Sequence, residues 1–439
     1  MTLVDEERSP SGPVHRRHRW RRVLRWTSAT VVVIVVGVLL AGYFQVHTID
    51  DSIHRVPVTD LGKRPPVYST SSMNILVFGS DSRSGLDHHM QVLLHTGDDS
   101  NSSGLGNTDT IMVVHISPGR HKITVMSIPR DTMVPYYQCD SGPGYPGQQA
   151  DPGNEERINA LFAAGGPSCL WKTVEQQTGI HIDHFIEIGL AGFVNVVNDV
   201  GGVNVCAPFP VDDPVSGLEL QAGEHHIDGV TALDFWRTRE DIGEGSDLQR
   251  IQRDQFMSAQ VVKGVLGGGL LSNPIQLLKV LNDAAPNLTT DSGTSLTDLL
   301  HIGESLRSIS GKNVQFVTTP NEPYPLDPNA TVQFAQPQAS ELFAAIAHDT
   351  TIPKSAGANA SPAASPSATP SSAATSSAAT ASTTAVLTGP SPSPSPSASP
   401  SASSTAAPKI GSIATSDGGI TAAASCGSDA GAFEGPLSP

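Results

Sequence analysis

Cysteine is scarce in this chain. Only Cys139, Cys169, Cys206 and Cys426 occur among its 439 residues, and no two are spaced as C-x-x-C. A structural zinc site needs closely spaced thiolate or imidazole ligands, so none is expected. The adjacent pairs His88 with His89 and His225 with His226 do not supply one, because neighbouring side chains diverge on any regular element. No G-x-x-x-x-G-K-[ST] stretch is present to cradle a nucleotide, and no G-x-S-x-G elbow presents a serine nucleophile. Positive charge is also short, with 26 Lys and Arg against 42 Asp and Glu and a net charge of −16. Seven of those arginines lie in the N-terminal tail against three acids, so the remainder is more acidic still. Nucleic acid is thereby excluded as a partner of the whole domain. From Ser355 to Ala407 the chain is almost entirely Ser, Ala, Thr and Pro, which cannot bury a core. Residues 353–439 are read as a disordered tail, a linker or a wall-threading segment, leaving one sizeable folded domain.

Long hydrophobic runs are absent except for one. Behind a basic tail (residues 1–25, with Arg16, Arg17, Arg19, Arg21, Arg22 and Arg25), Trp26 to Phe44 is uncharged and rich in Val, Leu, Ile and small residues. At about 1.5 Å per residue it measures roughly 28 Å, close to a bilayer's hydrocarbon thickness. Arginines before the run and Asp50 and Asp51 after it orient it with the N-terminus in the cytoplasm and the rest outside. A cleaved signal peptide is the competing account, but the run is long for one and Gly42, Tyr43, Phe44 make a poor cleavage site. The expected layout is a single-pass signal anchor over 26–44, a juxtamembrane link over 45–72 and an extracytoplasmic domain over 73–352. In that oxidising compartment the cysteines are expected to pair. Cys139 and Cys169 flank a Gly/Pro-rich loop and a short helix beginning near Glu155. Cys206 with Cys426 is the arithmetical remainder.

Short β-branched runs at Met73–Phe78, Thr110–Ile116, Ile123–Ile128, His184–Ile188, Val203–Cys206 and Val314–Thr318 read as strands. Cys169–Gln177, Leu190–Val200, Asn273–Ala284, Ser295–Ser308 and Pro337–His348 read as helices. The alternation implies an α/β domain whose sheet is covered on both faces.

Against this acidic background, Phe235 to Gln255 concentrates Arg237, Arg239, Arg250 and Arg253 with Asp247. On an extended segment Arg237 and Arg239 share one side, while Asp247, Arg250 and Arg253 share one face of a helix. Converging guanidinium forks suit a doubly charged phosphate group; a solvated salt-bridge network is the alternative. Polar residues also gather at predicted strand ends: Ser80, Asp81 and Arg83 after the first, Asn107 to Asp109 before the second, Arg130 and Asp131 after the third. Ligands of open α/β sheets collect at such ends, and carboxylates beside arginines fit a hydrated divalent cation next to an anion. Turn and cap chemistry accounts for any one of these aspartates taken singly.

In this order the blocks NILVFGSDSR, NTDTIMVVHI, SIPRD, RINALFAAGG, IDHFIEI, VNDVGGVNV, FWRTRE and SDLQRIQRDQ resemble the LytR-CpsA-Psr family of cell-wall phosphotransferases. The resemblance covers about Met73 to Leu266. It implies a central mixed β-sheet flanked by helices, and transfer of an anionic glycopolymer from a polyprenyl-pyrophosphate carrier to a peptidoglycan hydroxyl at a membrane. It further implies a magnesium or manganese ion on Asp81 and Asp109. Arg130, Arg157, Arg237, Arg239 and Arg250 match the pyrophosphate-holding cations, with Arg83 and Arg253 as further candidates. Arg157 stands where lysine is common. Asp254 replaces an amide beside Arg253, and residues 84–106 are an insertion between the two metal aspartates.

Transfer of this kind depends on positioning and charge neutralisation more than on covalent help. An acceptor hydroxyl must also lose a proton, and Asp247 and Asp81 are the two candidate bases. An apolar tunnel for the isoprenoid, lined by Phe185–Ile188 and Leu190–Val197, competes with plain core packing for those residues. Two other functions use the same residues: hydrolysis of a polyprenyl pyrophosphate, and non-catalytic lipid or wall binding.

Overall fold

Strands with apolar side chains on both faces must be covered on both, and that requirement shapes the domain. The computed structural model describes residues 15–80, 107–141, 145–149, 151–207, 210–238, 256–265, 270, 273–307, 309, 313–328 and 330–353, apart from some side chains within its helices and strands. The chain begins with helix α1 (His15–Ser52), strands β1 (His54–Val56), β2 (Met73–Ser80), β3 (Thr108–Ile116), β4 (Ile123–Ile128), β5 (Met133–Tyr136) and β6 (Asp151–Arg157). Next come α2 (Ile158–Thr178), β7 (His184–Gly189), α3 (Leu190–Asp199), β8 (Val203–Ala207), β9 (Val211–Asp213), β10 (Leu218–Leu220), β11 (Gly223–Ile227) and α4 (Gly229–Arg237). After helical residues 256–265 follow α5 (Pro274–Ala284), β12 (Leu288–Asp291), α6 (Leu296–Leu306), β13 (Val314–Thr318), β14 (Asn321–Pro323), β15 (Val332–Phe334) and α7 (Gln338–Ala347).

Among the described residues, seven strands form one mixed sheet in the order β1-β12-β7-β2-β3-β4-β13. The pairs β1/β12, β7/β2 and β4/β13 are parallel and the other three are antiparallel. Alternation along each strand sorts the core into two halves. Leu76, Phe78, Ile111, Val113, Met126, Ile128 and Phe185 face α2 and α7, meeting Ile158, Phe162, Leu170, Val174, Leu342 and Phe343. Ile75, Val77, Met112, Val114, Val125 and Ile186 face the other way, onto Ala259 and Val262 of the 256–265 helix and Ile302 and Leu306 of α6. Each such side chain contributes about 1.5–3 kcal/mol on burial. Phe185 is fully buried, its ring 5.7 Å from Phe78 and 6.2 Å from Trp171, and it packs in the core.

The strand and helix expectations hold for β2, β3, β4, β7, β8, β13, the second stretch of α2 and the helices α3, α5, α6 and α7, and two local readings are corrected. Glu155 lies in β6, paired antiparallel with Pro135 of β5, and the helix starts only at Ile158. Arg237 is not on an extended segment but is the last residue of α4, whose N-cap Asp228 accepts from the Thr231 amide. Val203–Ala207 pairs with β11, away from the main sheet. These were missed because hairpins and helix ends depend on partners distant in sequence.

Residues 45–72 are folded onto the domain. Ile49 and Ile53 are buried with Leu278, Leu281 and Leu296. Arg64 grips the fully buried Glu175 of α2 through Nε (3.0 Å) and Nη2 (2.7 Å) and lies 5.4 Å from the Trp171 ring centre. Among the described residues, no helix is long and apolar enough to cross a membrane. Several side chains of 26–44 lie outside the described residues.

Cys139 and Cys169 form the expected disulfide, closing a separation of 30 residues. It sits where α2 breaks at Gly166, whose φ of 69° suits glycine alone and whose added Cβ would strike the Tyr145 ring at 2.7 Å. Pro167 follows, so the GGP triplet separates two helical stretches within α2. Cys426 is outside the described residues, as is the side chain of Cys206.

Two stability outcomes follow from these contacts. Replacing Cys139 and Cys169 together by serine should lower the unfolding free energy by about 3–4 kcal/mol, from loop entropy, in guanidinium titrations. Arg64→Ala should cost about 3–5 kcal/mol, because it strands a buried carboxylate, and an unchanged midpoint would dismiss that role for the pair.

Candidate functional site

The alternation that builds the core runs on past it into polar residues. In step with Leu76 and Phe78 comes Ser80; Asp109 precedes Ile111 and Val113; Arg130 follows Met126 and Ile128; Glu187 follows Phe185. In the sheet register Ser80 pairs with Thr108 on one side and Gly189 on the other, and Ile111 pairs with Ile128. Four neighbouring strands therefore end together, each delivering a polar side chain at that end toward the α2 face. A register shift between Gly79 and Ser80 opens the β2/β3 pair just there, as bulges beside functional sites do.

Arg130 is the centre of the cluster. Its Nη1 donates to Asp109 Oδ1, and its Nε donates to Asp131 Oδ2 at 3.0 Å. Asp131 is nearly buried, with 7% of its side chain exposed, and its other oxygen lies 3.6 Å from Arg157 Nη1. The backbone fixes this geometry. The Ile158 and Asn159 amides, the orphan donors that open α2, bond to the Thr132 and Arg130 carbonyls. No side chain caps that helix, and the turn after β4 takes the place of one. The same turn is held from outside by the Val332 amide on the Asp131 carbonyl. Arg157, one residue before α2, is thereby brought beside Arg130.

Over the other side of the strand ends lies α4. Phe193 and Trp236 pack with ring centres 4.8 Å apart and planes tilted by 43°, and a Cβ built on Gly79 would lie 3.5 Å from the Trp236 ring. The last turn of α4, with Arg237, thus comes to the end of β2. The sequence candidates Asp81, Arg83, Arg239, Asp247, Arg250 and Arg253, and the 84–106 insertion, lie outside the described residues. Of the remaining candidates, Asp109, Arg130 and Arg157 are brought into one network through Asp131.

Glu187 was not singled out from sequence. It is half-buried, bonded to the Ser80 side chain, and its carboxyl is pushed up to about 7, chiefly by burial, with the Ser80 bond opposing. Tyr145, nearby, is raised by burial and then by the Glu187 charge. The available signal was a lone acid in the apolar strand HFIEIG, where both faces are spoken for.

Among the described residues, no three His, Cys, Asp or Glu side chains gather as a metal site. The described donor at the strand ends is nonetheless a hard carboxylate, that of Asp109, 30% exposed at its side chain, and in the sequence Asp81 directly follows Ser80. Such a donor set fits a magnesium-like cation that keeps most of its waters.

The model of the LytR_cpsA_psr family matches residues 42–347. The chain belongs to the LytR_cpsA_psr family. The match begins ahead of the motif blocks, so the family domain takes in the end of α1, β1 and the stretch leading to β2. Within the family, the chain is 34% identical over 294 residues to the probable cell wall biosynthesis protein LcpB of Corynebacterium glutamicum, covering 66% of this chain and 65% of that one. To LcpA, a cell wall biosynthesis protein of the same organism, it is 35% identical over 266 residues, covering 56% and 49%. To the polyisoprenyl-teichoic acid–peptidoglycan teichoic acid transferase TagU of Enterococcus faecalis it is 31% identical over 219 residues, covering 50% and 65%. The matched part thus spans from half to two thirds of these relatives' lengths.

The Glu187 environment has a measurable sign. Because its folded value lies above the ordinary 4.5, the native state holds a proton that the unfolded state releases between those pH values. Stability should therefore fall as pH rises from about 4.5 to 7 through this group and level off above. Glu187→Gln should flatten that part of the profile in urea titrations run at several pH values. A slope equal in both proteins would show the carboxyl to be better solvated than its packing indicates.

Proposed function

We propose that this protein is a membrane-anchored phosphotransferase that moves an anionic glycopolymer from a polyprenyl-pyrophosphate carrier to a hydroxyl of peptidoglycan. The observation that carries the reading is the joining of Asp109, Arg130, Asp131 and Arg157 at one end of the sheet in a chain of this family. The relatives named above, a teichoic acid transferase among them, point the same way.

The chemistry is derived from the chain's own groups. Before substrate binds, Asp109 and Asp131 hold the Arg130 guanidinium with its fork at the strand ends. Arg157, 44% exposed at its side chain, is the more accessible cation. In this reading these two, with Arg237 at the end of α4, take the oxygens of a diphosphate and neutralise its charge as the bridging bond breaks. Asp109 and Asp81 are the residues to hold a divalent cation, which would supply further neutralisation of the phosphate oxygens. Asp81 and Asp247 remain the candidate proton acceptors for the hydroxyl that attacks phosphorus.

For the anchor, support comes from the uncharged run Trp26–Phe44 within the continuous helix α1. On that helix Trp26, Val31, Val33, Ile34, Leu40, Tyr43 and Phe44 are all exposed. So many large apolar side chains facing outward on one helix need an apolar surround, and the basic tail before them puts the domain outside the cell.

The test is incubation of the purified protein with a lipid-linked anionic glycopolymer and peptidoglycan oligomers, followed by mass spectrometry. A phosphodiester adduct is expected, and free phosphoglycan with no adduct would point to hydrolysis instead. Asp109→Ala should abolish adduct formation. Arg237→Ala should weaken binding of an isoprenyl diphosphate by about 1.5–3 kcal/mol in calorimetry, with lysine restoring only part.

A further inference from the structure

The end of α1 does not hang free of the domain. Ile49 and Ile53 are 1% and 4% exposed, sealed by Ala285, Leu296, Leu278 and Leu281. Polar contacts lock the same turns: Gln45 Nε2 donates to Asn282 Oδ1 at 3.3 Å, and the Leu296 amide donates to Asp50 Oδ1 at 2.8 Å. Arg55 ties both sides, donating to the Asp50 carbonyl and carboxylate and to the Thr294 carbonyl. Directly after the helix, His54–Val56 joins the central sheet as strand β1, parallel to β12.

Where it joins matters. His54 is in register with Thr289, Thr289 with Glu187, and Glu187 with Phe78, two residues short of Ser80. The helix therefore enters the sheet at the same end as the candidate site. Laterally, β1 and β2 are three strand spacings apart, about 14 Å. Along the helix, Phe44 to Ser52 measures about 12 Å, roughly twice the thickness of one headgroup layer, so the domain begins just above it.

Resting on the membrane reading above, we propose that α1 is a rigid stalk rather than a tether. Its docked last turns hold the strand-end site against the headgroup layer beside the anchor, where the diphosphate of a bilayer-borne lipid carrier presents itself. The partner of this edge of the domain, formed by the end of α1, α5 and β1, is the bilayer surface. A loose link of the same length would let the domain tumble and spend most of its time with the site turned away.

The test uses the full chain in phospholipid vesicles. Six Gly and Ser residues are inserted after Phe44, leaving the docked turns intact. Transfer is measured from a long-chain carrier in the vesicles and from a water-soluble short-chain analogue. The stalk requires at least a tenfold loss with the long-chain carrier and no loss with the short-chain one. Equal turnover of both by the insertion variant and the parent would overturn it. A parent protein that fails to float with the vesicles would refute the membrane reading itself, and one inactive on the short-chain analogue would refute the transferase reading. A measurement independent of activity uses spin labels at Thr48→Cys and Thr297→Cys, with Cys206 and Cys426 replaced by serine. One narrow distance is expected in vesicles, and a broad distribution would also overturn the stalk.

Discussion

Burial of the central strands on both faces is the constraint from which the rest follows. All six residues of β4 are buried, and β2 and β3 send alternate side chains into two separate apolar clusters. Such strands have no wet face, so polar chemistry is driven to their ends. The two layers of helices that cover them also wall the strand ends, α2 from one side and α4 from the other. A single sheet thus sorts its described residues into two cores and one polar end.

The turn after β4 converts that arrangement into a fixed geometry. Its carbonyls take the first amides of α2, which in turn sets Arg157 beside Asp131. A helix start has unpaired donors that must be met by something, and here the partner is the residue run that carries Arg130. Core packing and site assembly share the same hydrogen bonds. The disulfide and the Arg64–Glu175 pair act further along α2 and hold the helix that the turn begins.

Charge in this protein is placed rather than abundant. The chain is strongly acidic, yet Arg130 and Arg157 are each set against a carboxylate: Asp109 and Asp131 for Arg130, Asp131 for Arg157. Paired in this way, a guanidinium near an apolar core keeps its orientation and avoids an unpaired buried charge. Glu187 is the exception, an acid with no cationic partner among the described residues, and burial makes it hold its proton toward neutral pH.

From the sequence alone came the α/β class, most strands of the central sheet, the disulfide, and Asp109, Arg130 and Arg157 as candidates that the structure joins in one network. Those features are local or compositional: β-branched runs, period-two alternation and the motif blocks that carry the family resemblance. The strand order, the position of β12 between β1 and β7, and the seat of Arg237 on a helix were decided by tertiary structure. So were the role of Asp131 as the link between Arg130 and Arg157, the half-buried state of Glu187 and the docking of α1. Each depends on residues far apart in the chain coming within a few ångströms, as Asp50 and Leu296 do, and no local pattern encodes such a meeting. Burial and hydrogen-bond partners are properties of the assembled sheet, because they are set by which surfaces the two helical layers exclude from water.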